Sequence, residues 1–194
     1  MRSRVEVGAP TIARDLHVTT TVAEAITVVS GGSLTLDRAV LQGGDHALSS
    51  ANNTTLALSN VIAFGSTNTA FDIVGSNGSL EFVTIGRAGA SSTTAAGINC
   101  TTNLVVRSSL VWTTGSFRPA ISGPCTLTNV TAGPAAIAGA DNTDPLFVDE
   151  AANDYHLGPD SPARDKVDAG PTLDFEGDPR PSGVRFDIGA DETD

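Results

Sequence analysis

The sequence predicts an all-β fold, a right-handed single-stranded parallel β-helix closed by an irregular C-terminal cap, and three observations predict it. The first is composition. Only 17% of the 194 residues are charged while 40% are apolar, and Ser, Thr, Asn, Gly and Ala abound. Such a chain folds, but it lacks the Glu, Lys and Arg that solvate the outer faces of amphipathic helices. Small, β-branched and turn-forming residues favour short strands and tight corners instead. The second observation is a repeat of about 22 residues, and the third is its abrupt end near Ala140.

Five segments carry the repeat: LDRAVL at 36–41, LSNVIA at 58–63, LEFVTI at 80–85, VRSSLV at 106–111 and LTNVTA at 127–132. Each reads as an apolar residue, two outward residues, then a small or branched inward one. Each is followed by a turn and a second short apolar patch, as at Ala47-Leu48, Phe71/Ile73, Ile98 and Ile121. Three short strands and three turns per period describe one coil of a parallel solenoid, which buries its inward residues only by stacking on its neighbours. Leu36, Leu58, Leu80, Val106 and Leu127 should then form one internal stack. Asp37, Ser59, Glu81, Arg107 and Thr128 should form the ladder outside it. A β-sandwich also has frequent short strands, but it does not require one pattern to recur at a near-constant interval. A leucine-rich repeat needs a helical stretch that no period contains.

The predicted division is a lead-in segment at 1–15, coils at 16–140 and an acidic, proline-rich cap at 141–194. Residues 1–140 hold seven acids and seven bases, so the net charge of −11 lies wholly in the cap. That balance excludes nucleic acid as a partner, because no basic stripe exists to displace counterions from a polyanion. No segment has the ~20 consecutive apolar residues of a membrane-spanning helix. The N-terminal MRSRVEVGAP lacks an export signal, and the expectation is a chain that continues upstream of Met1 or begins inside the solenoid.

The cap reads DPLFVDEAANDYHLGPDSPARDK at 144–166 and DFEGDPRPSGVRFDIGADE at 174–192. It resembles the C-terminal end of bacterial extracellular proteins of the pectate-lyase-like, parallel β-helix type. The resemblance rests on Asp144, Pro145, Phe147, Tyr155, Leu157, Ser161, Pro162, Ala163, Pro179, Arg180, Asp187, Ile188, Gly189 and Glu192. It implies the architecture and an extracellular or cell-surface setting, and it does not specify a substrate. Physically, Phe147, Tyr155, Leu157, Phe175, Phe186 and Ile188 are available to cover the exposed end of the last coil, and the prolines block further strand pairing. Asp144, Asp149 and Asp154 offer a calcium site as the alternative use of the cap acids. Their spacing fits neither an EF-hand loop nor a nonapeptide calcium repeat.

Cys100 and Cys125 lie 25 residues apart, close to one coil, so that a bridge between neighbouring coils is sterically open. The alternatives are that structural disulfide and a pair of buried free thiols; no His lies nearby in sequence to activate a thiolate.

Polysaccharide lyases on this architecture need a base beside calcium-binding acids, and the ladder offers Asp37, Glu81 and Arg107. Glycoside hydrolases need paired carboxylates, and Asp45 beside His46, approached by Asp72 from the next coil, is the arranged polar group. Ordinary surface and corner roles account for both sets. His17 and His156 stand alone in the sequence. Trp112 and Phe117, with Phe64 on an earlier coil, are the aromatic residues available to stack on a sugar.

Three functions follow. The first is a non-catalytic extracellular or cell-surface module, carbohydrate-binding or adhesive and part of a larger exported protein. The second is a lyase or hydrolase acting on an acidic polysaccharide. The third is a self-assembling protein that stacks through its N-terminal coil. No cofactor is called for beyond the calcium considered above.

Overall fold

The computed structural model describes residues 4–21, 23–88, 96–113 and 119–193. It is a parallel β-solenoid of about five turns. Its strands in chain order are β1 (Val5–Val7), β2 (Pro10–Thr20), β3 (Ile26–Val28), β4 (Ser33–Gly43), β5 (Leu48–Ser50), β6 (Thr54–Phe64), β7 (Phe71–Ile73) and β8 (Ser76–Gly86). They continue as β9 (Ile98–Cys100), β10 (Val105–Arg107), β11 (Leu110–Trp112), β12 (Ile121–Ser122), β13 (Thr126–Thr128) and β14 (Thr131–Gly133). Short and long strands alternate, so every coil adds one rung to each of two parallel sheets. The short sheet runs β1-β3-β5-β7-β9-β12, and the long one runs β2-β4-β6-β8-β10-β13, with β11 joining β8 to β14.

Each long strand is two faces joined by a single-residue corner. Asp15, Arg38, Asn60, Phe82, Ser108 and Asn129 all have φ between 46° and 53°, the left-handed region. They occupy the same place in successive coils. In β2 to β8 the ladder skips this position, with Asp37 facing Ser59 and Ala39 facing Val61 on either side of it. One such residue turns the chain and breaks the strict alternation of side chains. Leu36 and Ala39 therefore both point inward, with Asp37 and Arg38 outside. This is the physical origin of the repeated motif: inward, outward, corner, inward.

The core follows from that register. Leu36 pairs with Leu58, Leu58 with Leu80, Leu80 with Val106, and Val106 with Leu127, as the spacing predicts. Ile26, Leu48, Phe71, Ile98 and Ile121 form a second stack from the short sheet. Leu36, Leu58 and Leu80 are at most 1% exposed, and burial of each such side chain contributes roughly 1.5–3 kcal/mol. Cys100 and Cys125 are joined by a disulfide with a Cα–Cα distance of 5.8 Å. It ties two neighbouring coils where Gly123 passes directly over the Cys100 carbonyl.

The C-terminal residues divide into two tasks, and one differs from expectation. Residues 134–142 close the end of the solenoid: Ile137 and Ala140 pack on the core, and Asp141 bridges to Thr131. The large apolar residues beyond them do not cover that end. They run back along the outer flank of the solenoid, over the second half of the long strands. There the strand pair β15 (Phe147–Asp149) and β16 (Asp154–Leu157) is antiparallel. Leu157, Ala163, Val167 and Ile188 pack with Phe82 and Leu110, while Tyr155 and Ala190 pack with Ile62 and Phe64, and Phe175 joins them. The reason lies in the coils: the outward positions Val40, Ile62, Phe64 and Leu110 are apolar and need a cover.

Arg180 pins this strip. Its side chain is fully buried, pairs with Glu192 at 2.8 Å, and donates to the carbonyls of Gly189 and Asp187 and to Asn60 Oδ1 on the coil. Its guanidinium lies 4.5 Å from the centre of the Phe82 ring, a cation–π contact. Asp187 and Glu192 in turn accept backbone N–H groups of Asp165, Thr193, Asp187 and Ser182. Arg180, Asp187 and Glu192 are thus hydrogen-bonding hubs of the tail.

Tyr155 fills the place of a side chain that Gly86 lacks: a Cβ on Gly86 would lie 1.9 Å from the Tyr155 ring. Gly86→Ala should therefore cost about 2 kcal/mol in urea unfolding, through displaced packing. An unchanged midpoint would mean that the ring does not rest there.

Candidate functional site

The outward ladder of the first long-strand face is the candidate site, because it gathers the charged residues of the coils. Arg14, Asp37, Ser59, Glu81, Arg107 and Thr128 lie in register on successive rungs. Between the two carboxylates the surface is a shallow trough of about 200 Å³ with Thr35, Ala57, Ser59 and Ser79 along it. Rungs are about 4.8 Å apart, so the backbones of Asp37 and Glu81 stand about 9.6 Å apart.

Each charge on this ladder has a partner. Asp37 accepts from Arg38 at 3.2 Å and from Asn60 Nδ2 at 3.0 Å, with Arg14 at 3.8 Å. Arg38 also grips Asp15 through two N–H groups, at 2.7 and 3.0 Å, and that hydrogen bonding holds the Asp15 carboxyl below its ordinary range. Glu81 pairs with Arg107 at 3.4 Å, the ion pair expected from the register. Such exposed pairs each contribute under ~1 kcal/mol, yet together they occupy both carboxylates and their bases. Proton abstraction or glycosidic cleavage would need one of these groups disengaged.

Of the second predicted constellation, Asp45 and His46 lie side by side, and Asp72 does not join them. Asp45 accepts from Asn68 one coil on, and His46 Nδ1 meets the Thr69 carbonyl at 2.5 Å, with its Nε2 3.6 Å from Asp45. Asp72 lies instead on the short sheet, in register with Ser49 and Asn99. There Asn99 donates to Asp72 at 2.8 Å and Ser122 to Asn99 at 3.0 Å, a polar side-chain ladder.

The three cap acids serve backbone turns. Asp144 accepts from Leu146 N, Asp149 from Ala151 N and Ala152 N, and Asp154 from His156 N. Among the described residues no group of three or more acids, His or Cys is arranged to hold a metal. Trp112 is half-buried, and its ring crosses the rung below so that a Cβ on Gly133 would touch it at 2.1 Å. Phe64 lies two rungs back with Gly86 between, its ring 5.4 Å from Tyr155. Phe117 lies outside the described residues.

One group was missed. His156, expected to stand alone, is clasped between two carboxylates, Asp154 at Nδ1 (2.5 Å) and Glu176 at Nε2 (2.9 Å), with the Phe175 ring alongside. Asp154 is two residues away and visible in the sequence, but Glu176 arrives only because residues 174–178 fold back around Asp174, whose carboxylate caps three successive N–H groups. His17, by contrast, has only Thr19, at 3.4 Å, as a hydrogen-bond partner among the described residues.

No protein-family model, no curated protein and no solved structure matches this chain. No described helix is long and apolar enough to cross a membrane.

Partial burial works against the charge on His156, but the hydrogen bonds to Glu176 and Asp154 and the nearby Asp191 outweigh it and lift its pKa to about 9. A raised histidine pKa stabilises the fold fully below the unfolded value of about 6.5, and the gain is lost as pH rises through about 9. The stability advantage of the parent over His156→Gln should be largest near pH 6 and gone by about pH 10, read from thermal midpoints across that range. A pH-independent difference would contradict the clasp.

Proposed function

We propose that this chain is a non-catalytic module of an extracellular or cell-surface protein, part of a larger exported polypeptide, whose faces engage a glycan. The observation that carries the reading is the occupancy of the ladder: Asp37 and Glu81 are each held by arginine. The trough between them is lined by small hydroxylated and apolar side chains. A ladder so arranged offers hydrogen bonds along a flat repeat and leaves no carboxylate disengaged for proton transfer.

The disulfide between Cys100 and Cys125 supports an oxidising compartment. The likeness of the tail to bacterial extracellular proteins of the pectate-lyase-like type supports the same setting. In this chain those motif residues act as structural anchors, which favours reading the likeness as shared architecture rather than shared chemistry.

The test is a panel of acidic polysaccharides, polygalacturonate included, incubated with the chain with and without calcium. The expected result is retention on one or more immobilised glycans, with no ultraviolet absorbance from unsaturated product and no new reducing ends. Double-bond absorbance that scales with protein would establish a lyase and overturn the proposal; new reducing ends alone would establish a hydrolase.

A further inference from the structure

Where each long strand ends and the chain turns toward the short sheet, glycines replace side chains in two successive coils. Gly43, Gly44 and Gly65 all have φ between 74° and 76°. At Gly43 and Gly44 a Cβ would strike the carbonyls of Thr20 and Ala23, so close coil stacking requires glycine there. At Gly65 nothing among the described residues but Gly43 backbone comes within 4 Å, at 3.7 Å, and they leave the surface bare. The tail passes beside this floor at Asn153, and the result is a groove of about 370 Å³. That volume lies within the range of small-ligand sites.

The lining is polar and carries one charge. Thr21, Thr67, Gln42 and Asn153 supply hydroxyl and amide groups, Phe64 supplies a ring edge, and Arg87 is the sole ionic group among the lining residues. Arg87 Nη1 is shared between the carbonyls of Glu150 and Ala151 and Asn153 Oδ1, at 3.3–3.4 Å. Its Nε and Nη2 have no hydrogen-bond partner among the described residues. Nearby, the Tyr155 hydroxyl is buried with no partner among the described residues, within electrostatic reach of Arg87 and Glu150. Unused donors around a single guanidinium, beside hydroxyls and a ring edge, specify a ligand with one negative charge and several hydroxyls.

We propose that this groove binds a sugar ring bearing one carboxylate or sulfate. The anionic group takes the Nε and Nη2 N–H groups of Arg87. The ring hydroxyls meet Thr21, Thr67, Gln42 and Asn153, and the apolar edge of the ring rests on Phe64. A bare phosphate fits less well, because it brings no ring hydroxyls to the threonine, glutamine and asparagine side chains that line most of the groove. The inference rests on the glycan reading above and names its site and ligand class.

The experiment is calorimetric titration at low salt of the whole chain with three tetrasaccharides: one containing glucuronate, one sulfated and one of neutral glucose. Arg87→Gln should weaken the two anionic ligands at least tenfold and leave the neutral one, already weaker, unchanged. Gly65→Asn is the second variant. It leaves Arg87 intact, asparagine tolerates the left-handed backbone, and its side chain fills the bare floor; all binding should fall. The carboxylated and sulfated arms decide which anion is preferred. Neutral ligand bound as tightly as the anionic ones overturns the assignment of Arg87. Binding that survives both variants, with thermal midpoints unchanged, overturns the groove while leaving the glycan reading intact. No binding of any tetrasaccharide by the parent chain overturns both.

Discussion

The structure depends on one backbone constraint, the left-handed corner that every coil places at the same rung. Because Asp15, Arg38, Asn60, Phe82, Ser108 and Asn129 each turn the chain by themselves, no loop is spent there, and the two flanking faces keep their register through the whole stack. The corner also decides which residues face inward. It sets Leu36 and Ala39 on the same side, and so converts a two-residue alternation into the motif that repeats along the chain. The cost is strain at residues other than glycine, on the order of 1–2 kcal/mol each, and it is met where the corner side chain finds partners. Arg38 pairs with Asp15 and Asp37, Asn60 donates to Asp37, and Phe82 lies beneath Arg180.

Those partners link the corner to the two features that bear on function. On one side of it lies the charged ladder, where Asp37 is bound by groups from its own corner and the next. On the other lies the apolar flank, which the tail covers. The tail is not an end cap with spare acids. It is a strip whose buried carboxylates, Asp174, Asp187, Asp191 and Glu192, each receive backbone or arginine donors. The concentration of charge in the last 54 residues has a structural use, because a segment with few regular strands must satisfy its backbone N–H groups with side chains.

Much of the fold was legible in the sequence. The Leu-x-x-small motif placed the internal stack, the outside ladder and the Glu81–Arg107 pair on the correct rungs, because register in a solenoid follows from the repeat alone. The corner was less legible: Asn60 and Asn129 hint at a left-handed residue, but Arg38 and Phe82 do not. The lateral course of the tail had a signal that a repeat search passes over. The runs VIAF at 61–64 and LVW at 110–112 are apolar on both faces, which a coil facing water on one side would not be. The His156 clasp and the Arg87 groove are the least legible, since each joins residues of the tail that have no periodic relation to their partners.

The central claim is that coils and tail form one unit, with the tail seated along the flank through Arg180, Tyr155 and Ile188. Amide hydrogen exchange on the intact chain measures this most directly. The account predicts that the amides of Leu157, Ile188 and Ala190, held by Asp191, the Ala163 carbonyl and Thr84, are protected to the same order as those of β6 and β8. Rapid exchange at those three positions, with β6 and β8 still protected, would contradict it.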